Sequence, residues 1–257
     1  MMNRAFPALL ALLLIATAAR AGDDVIHHDL RVKLDPKAHA IEVVDGTNWL
    51  LLPRFRLHDG LAVTADRCVV QEADTLRPAA EGAWVEMREY RLGSGAESGR
   101  TAIRYKGTID HPPEAQSEEY ARSFSETPGT ISKDGVFLSG ATGWYPMTGQ
   151  MVTFTLEVDL PEGWDAVSQG VRTRHETKDG RRIVTWECKE PMEEIYLVAA
   201  PFTEYDRPGK VTAYAFLRKP DAALAQKYLD VTGAYIDMYG RLIGPYPFGK
   251  FALVENF

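Results

Sequence analysis

From Asp24 to about Pro201 the apolar residues recur at every second position, and this period constrains the fold more than any motif does. In "DLRVKLD" Leu30, Val32 and Leu34 share one face while Arg31 and Lys33 share the other. "VTFTLEVDLP" sets Val152, Phe154, Leu156 and Val158 against Thr153, Thr155 and Glu157, and "RRIVTWECKE" alternates Val184, Trp186 and Cys188. Successive side chains of a strand point to opposite faces, so a period of two marks half-buried strands of antiparallel sheets. Turn chemistry separates the runs at Asp45-Gly46, Asp59-Gly60, Asp134-Gly135, Pro161-Glu162-Gly163 and Asp179-Gly180. Many short strands at regular spacing predict a mainly β fold, an antiparallel sandwich or open β-saddle, over residues 22–205. Its core is expected to include Leu30, Val32, Phe154, Leu156, Val158, Val184, Trp186, Tyr196 and Val198. The polar, Pro-containing stretch from Ile109 to Gly135 reads as a long surface loop.

Near Arg207-Pro208-Gly209 the texture changes. One more strand, "VTAYAFLR", precedes Pro220-Asp221, where Asp221 is the expected helix N-cap. Leu224, Tyr228, Val231, Tyr235, Met238 and Leu242 then recur at steps of four and three, a continuous apolar stripe on one helix face. Gly240 and Gly244-Pro245 close the helix, and "KFALVENF" follows as a strand. Residues 206–257 thus predict the opening strand, helix and strand of an α/β unit. Such a trio cannot bury its own apolar face, so Leu224, Tyr228, Val231, Tyr235 and Met238 are expected to be only partly covered. A last strand that stops at an uncapped Phe257 presents an unpaired edge, and the fold is expected to continue downstream.

The other end reads as a targeting segment. "MMNRAFPALLALLLIATAARAGDD" has a basic start at Arg4, an apolar run from about Phe6 to Ala18, and small residues at Ala19 and Ala21. Residues 1–21 are expected to be a secretory signal, cleaved after Ala21, which places the protein in the periplasm or outside the cell. The apolar run is shorter than the ~20 residues a membrane span needs, and no other stretch approaches that length. About 235 residues then remain, enough for one large domain or two modest ones. A net charge of −7 with scattered Lys and Arg argues against nucleic acid or an anionic membrane surface as partner. Cys68 and Cys188 could form one bridge if their Cα atoms came within ~7 Å; two buried free thiols are the alternative.

No self-contained catalytic or metal-binding set emerges. "RHETKDG" begins like H-E-x-x-H at His175-Glu176, but Asp179 stands where the second His should be. The segment also reads as a hairpin tip, whereas ligands four apart need a helix to share a face. His27 and His28 open a strand and point to opposite faces. His39, His58 and His111 lie in turns or loops without companions at ligand spacing, and "GSGAES" at Gly93 lacks the Lys and helix of a phosphate loop. No Ser sits in a G-x-S-x-G elbow.

Four stretches in order carry a resemblance: "VFLSGATGWYP…VTFTLEVDLPEGWDAVSQG", "EEIYLVAAPFTEYDR", "VTAYAFLRKP" with its helix, and "IGPYPFGKFALVENF". Together they resemble the zinc metallopeptidases typified by aminopeptidase N and the leukotriene hydrolase (gluzincins), in which a β-saddle precedes a thermolysin-like catalytic domain. The closing "G-x-Y-P-x-x-K" is the most specific piece. The resemblance implies zinc in the full-length protein, a peptide substrate, and a zinc helix with H-E-x-x-H beyond Phe257. This chain alone would then be inactive, since a zinc hydrolase needs three protein ligands, an open position and a general base. Glu255 in "VENF" falls too close to the Tyr-Pro-x-x-Lys turn to be the family's substrate-loop Glu. The family also places a Gln or Glu of the β domain by the substrate amine, shortly before "GWYP", whereas residues 137–146 hold no acid or amide. That departure sets peptidase ancestry apart from strict aminopeptidase specificity. Ser139, Thr142 and Trp144 are candidates for lining the cleft, with core and turn roles as the alternative. The rival reading is a secreted, non-catalytic β-sandwich that binds peptide or glycan; the long striped helix after Pro220 stands against it.

Overall fold

The computed structural model describes residues 25–47, 54–64, 70–78, 85–92, 101–115 and 125–256. Residues 1–21, read above as a secretory signal, lie outside the described residues, as do Cys68 and the Gly93 stretch.

The largest sheet has seven strands, in spatial order Val171–Lys178, Arg181–Met192, Val152–Pro161, Ile26–Asp35, Ala40–Thr47, Thr101–Thr108 and Leu61–Thr64. The alternation read from the sequence is the burial pattern: every second residue of Ile26–Asp35 is buried, as are Val152, Phe154, Leu156, Val158 and Leu160. A four-stranded sheet (Gly129–Ser132, Gly135–Leu138, Leu197–Ala200, Asp165–Val167), a three-stranded one (Arg54–His58, Glu86–Leu92, Val70–Pro78) and a short pair (Glu114–Ala115, Ser125–Glu126) make up the rest of the β domain among the described residues. One hydrophobic core joins them, with Trp144, Trp186, Tyr105, Phe55 and Phe154 among its largest side chains. The thiol of Cys188 is free and buried in it.

Four sequence expectations need correction. The stretch from Ile109 to Gly135 is not all surface loop: Gly129–Ser132 is a strand paired with Gly135–Leu138, and Ile109 and Ile131 are fully buried, because these few apolar residues are anchored by distant strands that a local polar composition does not reveal. The large sheet is mixed, not wholly antiparallel: Ile26–Asp35 runs parallel to Val152–Pro161, with Leu30 opposite Leu156 and Val32 opposite Val158. More than a hundred residues separate these strands, so no hairpin dictates their direction, and a period of two is blind to it. Asp45-Gly46 is not a turn. Both residues lie inside the strand Ala40–Thr47, where the Asp45 carboxylate is buried against His28. Lastly, Tyr196 is 36% exposed and Val198 half-buried, while Ile195, Leu197 and Ala199 carry the core contact. "IYLVAA" is apolar at every position, so its phase is unreadable, and a one-residue slip exchanges the two faces.

The C-terminal unit is a three-stranded sheet, Thr203–Arg207, Thr212–Leu217 and Lys250–Val254, with one helix, Ala222–Leu242. Asp221 caps the helix as expected, its Oδ1 accepting the Leu224 N–H at 2.9 Å. Gly240 stays helical; closure falls at Ile243 and Gly244. Successive residues of Thr212–Leu217 serve two layers. Tyr214 and Phe216 pack on the core of the β domain, while Ala213, Ala215 and Leu217 meet Ala225 and Leu229 of the helix. The helix therefore turns Ala225, Leu229 and Thr232 inward, and most of the apolar stripe faces away: Tyr235 is 53% and Leu242 72% exposed.

Two outcomes follow from this division. Phe154→Ala, which empties a fully buried site, is expected to cost about 3–5 kcal/mol in urea denaturation. Amide exchange is expected to be fastest across residues 209–256 and slowest around Phe154 and Trp186, because the helix forgoes ~1.5–3 kcal/mol for each large apolar side chain left in water. Uniform protection through Asn256 would contradict that order.

Candidate functional site

The "SGATGWYP" segment forms a single 3-10 turn at Gly140–Thr142 followed by an irregular, well-anchored stretch. The Thr142 hydroxyl accepts the Ser139 N–H at 3.0 Å and donates to the Pro128 carbonyl. Gly143 has φ of +68°, and a Cβ there would lie 3.0 Å from the His58 nitrogen, so only glycine fits. Trp144 and Tyr145 are buried; Trp144 Nε1 donates to the Ile195 carbonyl at 3.1 Å, and the Tyr145 hydroxyl accepts the Ile195 N–H at 3.2 Å. Ser139, Thr142 and Trp144 thus take the turn and core roles.

An acid does reach this turn, from elsewhere in the chain. The Gly140 N–H donates to Glu194 Oε2 at 2.6 Å, and the Tyr196 hydroxyl donates to Glu194 Oε1 at 2.7 Å. That hydrogen bond, with burial adding to it, pushes the Tyr196 phenol up to about 12. Gln169 ties the same region together: its Nε2 donates to the Glu194 carbonyl at 2.9 Å and its Oε1 accepts the Tyr196 N–H at 3.0 Å. Sequence reading missed Glu194 because it approaches the turn across 54 residues of chain.

The network continues to the C-terminal unit. Ser168 donates to the Tyr196 carbonyl, and its own carbonyl accepts from Lys250 Nζ. That ammonium sits 3.8 Å from the centre of the Trp186 ring. Burial pulls it down to about 7, while the ring face and the Ser168 carbonyl both favour the charged form. The Arg172 guanidinium lies 5.7 Å from the Trp186 ring and 5.5 Å from Tyr214, and it forks onto Glu204 at 2.6 and 2.7 Å. Lys250 and Arg172 together form a seam of cations on aromatic faces between the β domain and the C-terminal sheet. Glu255 stands just past the last strand, its Oε2 accepting the Arg218 N–H at 2.6 Å.

His175 lies on Val171–Lys178, one arm of the hairpin that turns at Asp179-Gly180, as read from the sequence. What the sequence did not reveal is its company: Asp165, His175 and Glu204 place one ligand atom each within 4.8 Å of one another. These lone pairs are already engaged. Asp165 accepts from His175 Nε2 at 2.7 Å and from the Ala166 N–H at 2.8 Å, and both Glu204 oxygens hold Arg172. A divalent ion would have to enter beside a fixed guanidinium, so the group is a closed charge network. His27 and His28 do diverge: His28 Nδ1 is 2.7 Å from Asp45 Oδ2, both side chains fully buried, while His27 meets Thr153 at the surface. His58 and His111 have companions after all, their Nε2 atoms lying 2.8 Å apart, and His39 lies 3.3 Å from Asp110.

No protein-family model matches the sequence, and no curated protein matches it by sequence. Solved structures do match the fold. An M1 zinc metallopeptidase from Deinococcus radiodurans superposes with a TM-score of 0.63 at 18% identity, over 90% of this chain and 55% of that one. Its E323A mutant bound to a Tyr-Ser-Ala substrate gives 0.57 at 17% identity, over 90% and 56%. Native yeast LTA4 hydrolase gives 0.59 at 14% identity, over 91% of this chain and 37% of that one. The chain spans about half the length of the M1 structures it matches, and it has the fold of the N-terminal part of the M1 zinc metallopeptidases.

Proposed function

We propose that this chain is the N-terminal region of an exported zinc metallopeptidase that hydrolyses peptide bonds, with the zinc ligands and general base lying in a catalytic portion outside residues 1–257. The observation that carries the reading is the fold match over nine-tenths of this chain against about half of an M1 metallopeptidase. Residues 1–21 support export through their basic, apolar and small-residue segments. The C-terminal unit supports a catalytic domain that extends further. Tyr228, Val231 and Tyr235 of the helix stripe, with Tyr246, Phe251 and Leu253, line an apolar groove of about 740 Å³. A complete α/β unit covers such a face with further strands and helices.

A peptide is the proposed substrate class, as in the relative bound to Tyr-Ser-Ala. Strict aminopeptidase specificity is not part of the proposal. Residues 137–146 hold no acid or amide, and the carboxylate that does reach the turn, Glu194, is engaged by Gly140 and Tyr196.

Residues 22–257 are expected to retain no stoichiometric zinc and to hydrolyse no aminoacyl reporter, while the product of a reading frame that continues into H-E-x-x-H does both. One equivalent of zinc kept by the shorter chain after dialysis against a weak chelator, or a stop codon directly after Phe257, overturns the proposal. The seam has its own test. Arg172→Ala leaves the largely buried Glu204 unpaired and is expected to cost about 1–3 kcal/mol. Faster exchange should appear in residues 203–217 and leave the strands around Phe154 unchanged.

A further inference from the structure

We propose that the His58–His111 pair is a proton-sensitive fastener that holds the Gly140–Gly143 turn in place, closed when both rings are neutral and released when either is protonated. His58 ends the strand Arg54–His58, and His111 lies just past the strand Thr101–Thr108. Their rings meet edge to face, centroids 5.1 Å apart, with Nε2 to Nε2 at 2.8 Å. The backbone assigns the protons. The Gly60 N–H donates to His58 Nδ1 at 2.9 Å, so that nitrogen carries a lone pair and the ring proton sits on Nε2. His58 Nε2–H must then donate to a bare His111 Nε2.

Only a neutral pair satisfies this arrangement. A proton on His111 Nε2 sets two donors face to face, and a proton on His58 Nδ1 opposes the Gly60 N–H. The same tautomer excludes metal binding through His58 Nε2, because that atom has no lone pair to offer. The His58 side chain is 6% exposed, and burial holds its imidazole at about 4, although Asp59 Oδ1 at 3.5 Å pulls the other way and His111 adds to the lowering. Among the described residues, Asp110, one residue before His111, is paired with His39 at 3.3 Å, and Glu86 lies across from Asp59, its carbonyl accepting the Asp59 N–H.

His58 is bonded through its backbone to the turn, and His111 to the strand Gly129–Ser132 that packs on it. The His58 N–H donates to the Gly143 carbonyl at 2.8 Å, and the His111 N–H donates to the Gly129 carbonyl at 3.3 Å. Next to Gly129, the Pro128 carbonyl accepts from the Thr142 hydroxyl. Gly129 is packed so tightly on Thr142 that a Cβ would fall 2.4 Å from its side chain. Parting the rings therefore pulls on both flanks of one turn, whose Gly140 N–H is held by Glu194. The sign follows. An unfolded His58 takes up its proton near pH 6.5 and the folded ring refuses it until about 4, so the fastened state loses stability as pH falls through that window.

Imidazole nitrogen NMR on the intact chain from pH 8 to pH 4.5 is the test, joined to amide exchange corrected for its intrinsic pH dependence. His58 is expected as the Nε2–H tautomer, titrating below pH 5. Protection of the Gly60 and Gly143 amides should fall at least tenfold by pH 4.5, with Leu156 unchanged. In His58→Gln the side-chain N–H can donate to His111 Nε2 in place of the ring and no titrating nitrogen faces Gly60, so the acid-induced loss at Gly143 should shrink. An Nδ1–H tautomer, ordinary titration near 6.5 with constant protection, or the same acid loss in His58→Gln would each overturn the proposal. If His58→Gln fails to fold, the tautomer and titration of the unmodified chain decide alone.

Discussion

The strand Ile26–Asp35 is the piece on which the rest of the architecture depends. It is bonded on both edges, parallel to Val152–Pro161 and antiparallel to Ala40–Thr47. Leu30, Val32 and Leu34 project from it into the core shared with Leu156, Val158 and Trp186. Removing this strand would open two inner edges and one layer of the core together, exposing unpaired N–H and C=O groups along both neighbours. A segment near the chain's beginning therefore completes the sheet only after the strand at 152–161 exists. Its closure is a long-range event of the kind that slows folding.

The second dependence is the attachment of the C-terminal unit. One face of its sheet enters the main core through Tyr214 and Phe216, and the edge of that contact is sealed by charge: Lys250 on Trp186, Arg172 between Trp186 and Tyr214 and onto Glu204. Two cations near one indole repel each other, and Glu204 with the Ser168 carbonyl offsets that repulsion. The opposite layer has no such seal. Its helix buries only the narrow stripe Ala225, Leu229 and Thr232, so the aromatic stripe and the groove beside it remain open to whatever completes the domain.

Histidine chemistry in the β domain shows how one residue type is set to different tasks by its partner. His28 meets a carboxylate with neither side chain exposed; His175 meets one at the rim of the charge network; His58 meets another histidine. Only the last pairing requires both members neutral. A carboxylate partner stabilises the protonated ring, whereas an imidazole partner excludes it.

The amino-acid order by itself determined which faces are buried, where most turns fall, where the helix starts and why its stripe stays uncovered. These are local consequences of side-chain period, of Asp and Gly turn preference, and of N-cap chemistry at Asp221. It also determined that His175-Glu176 sits in a hairpin and not on a helix. The tertiary structure alone decided the parallel pairing of the first strand, the phase of Ile195–Ala200, the approach of Glu194 to Gly140, and the meeting of His58 with His111. Each of these joins residues far apart in the chain or lies in a uniformly apolar run, where periodicity carries no information about which neighbour comes alongside or which face turns inward. Asp45-Gly46 marks the boundary between the two. Its turn preference is real, but a buried imidazole from a neighbouring strand bonds Asp45 Oδ2, and the pair lies extended inside the ladder with that strand.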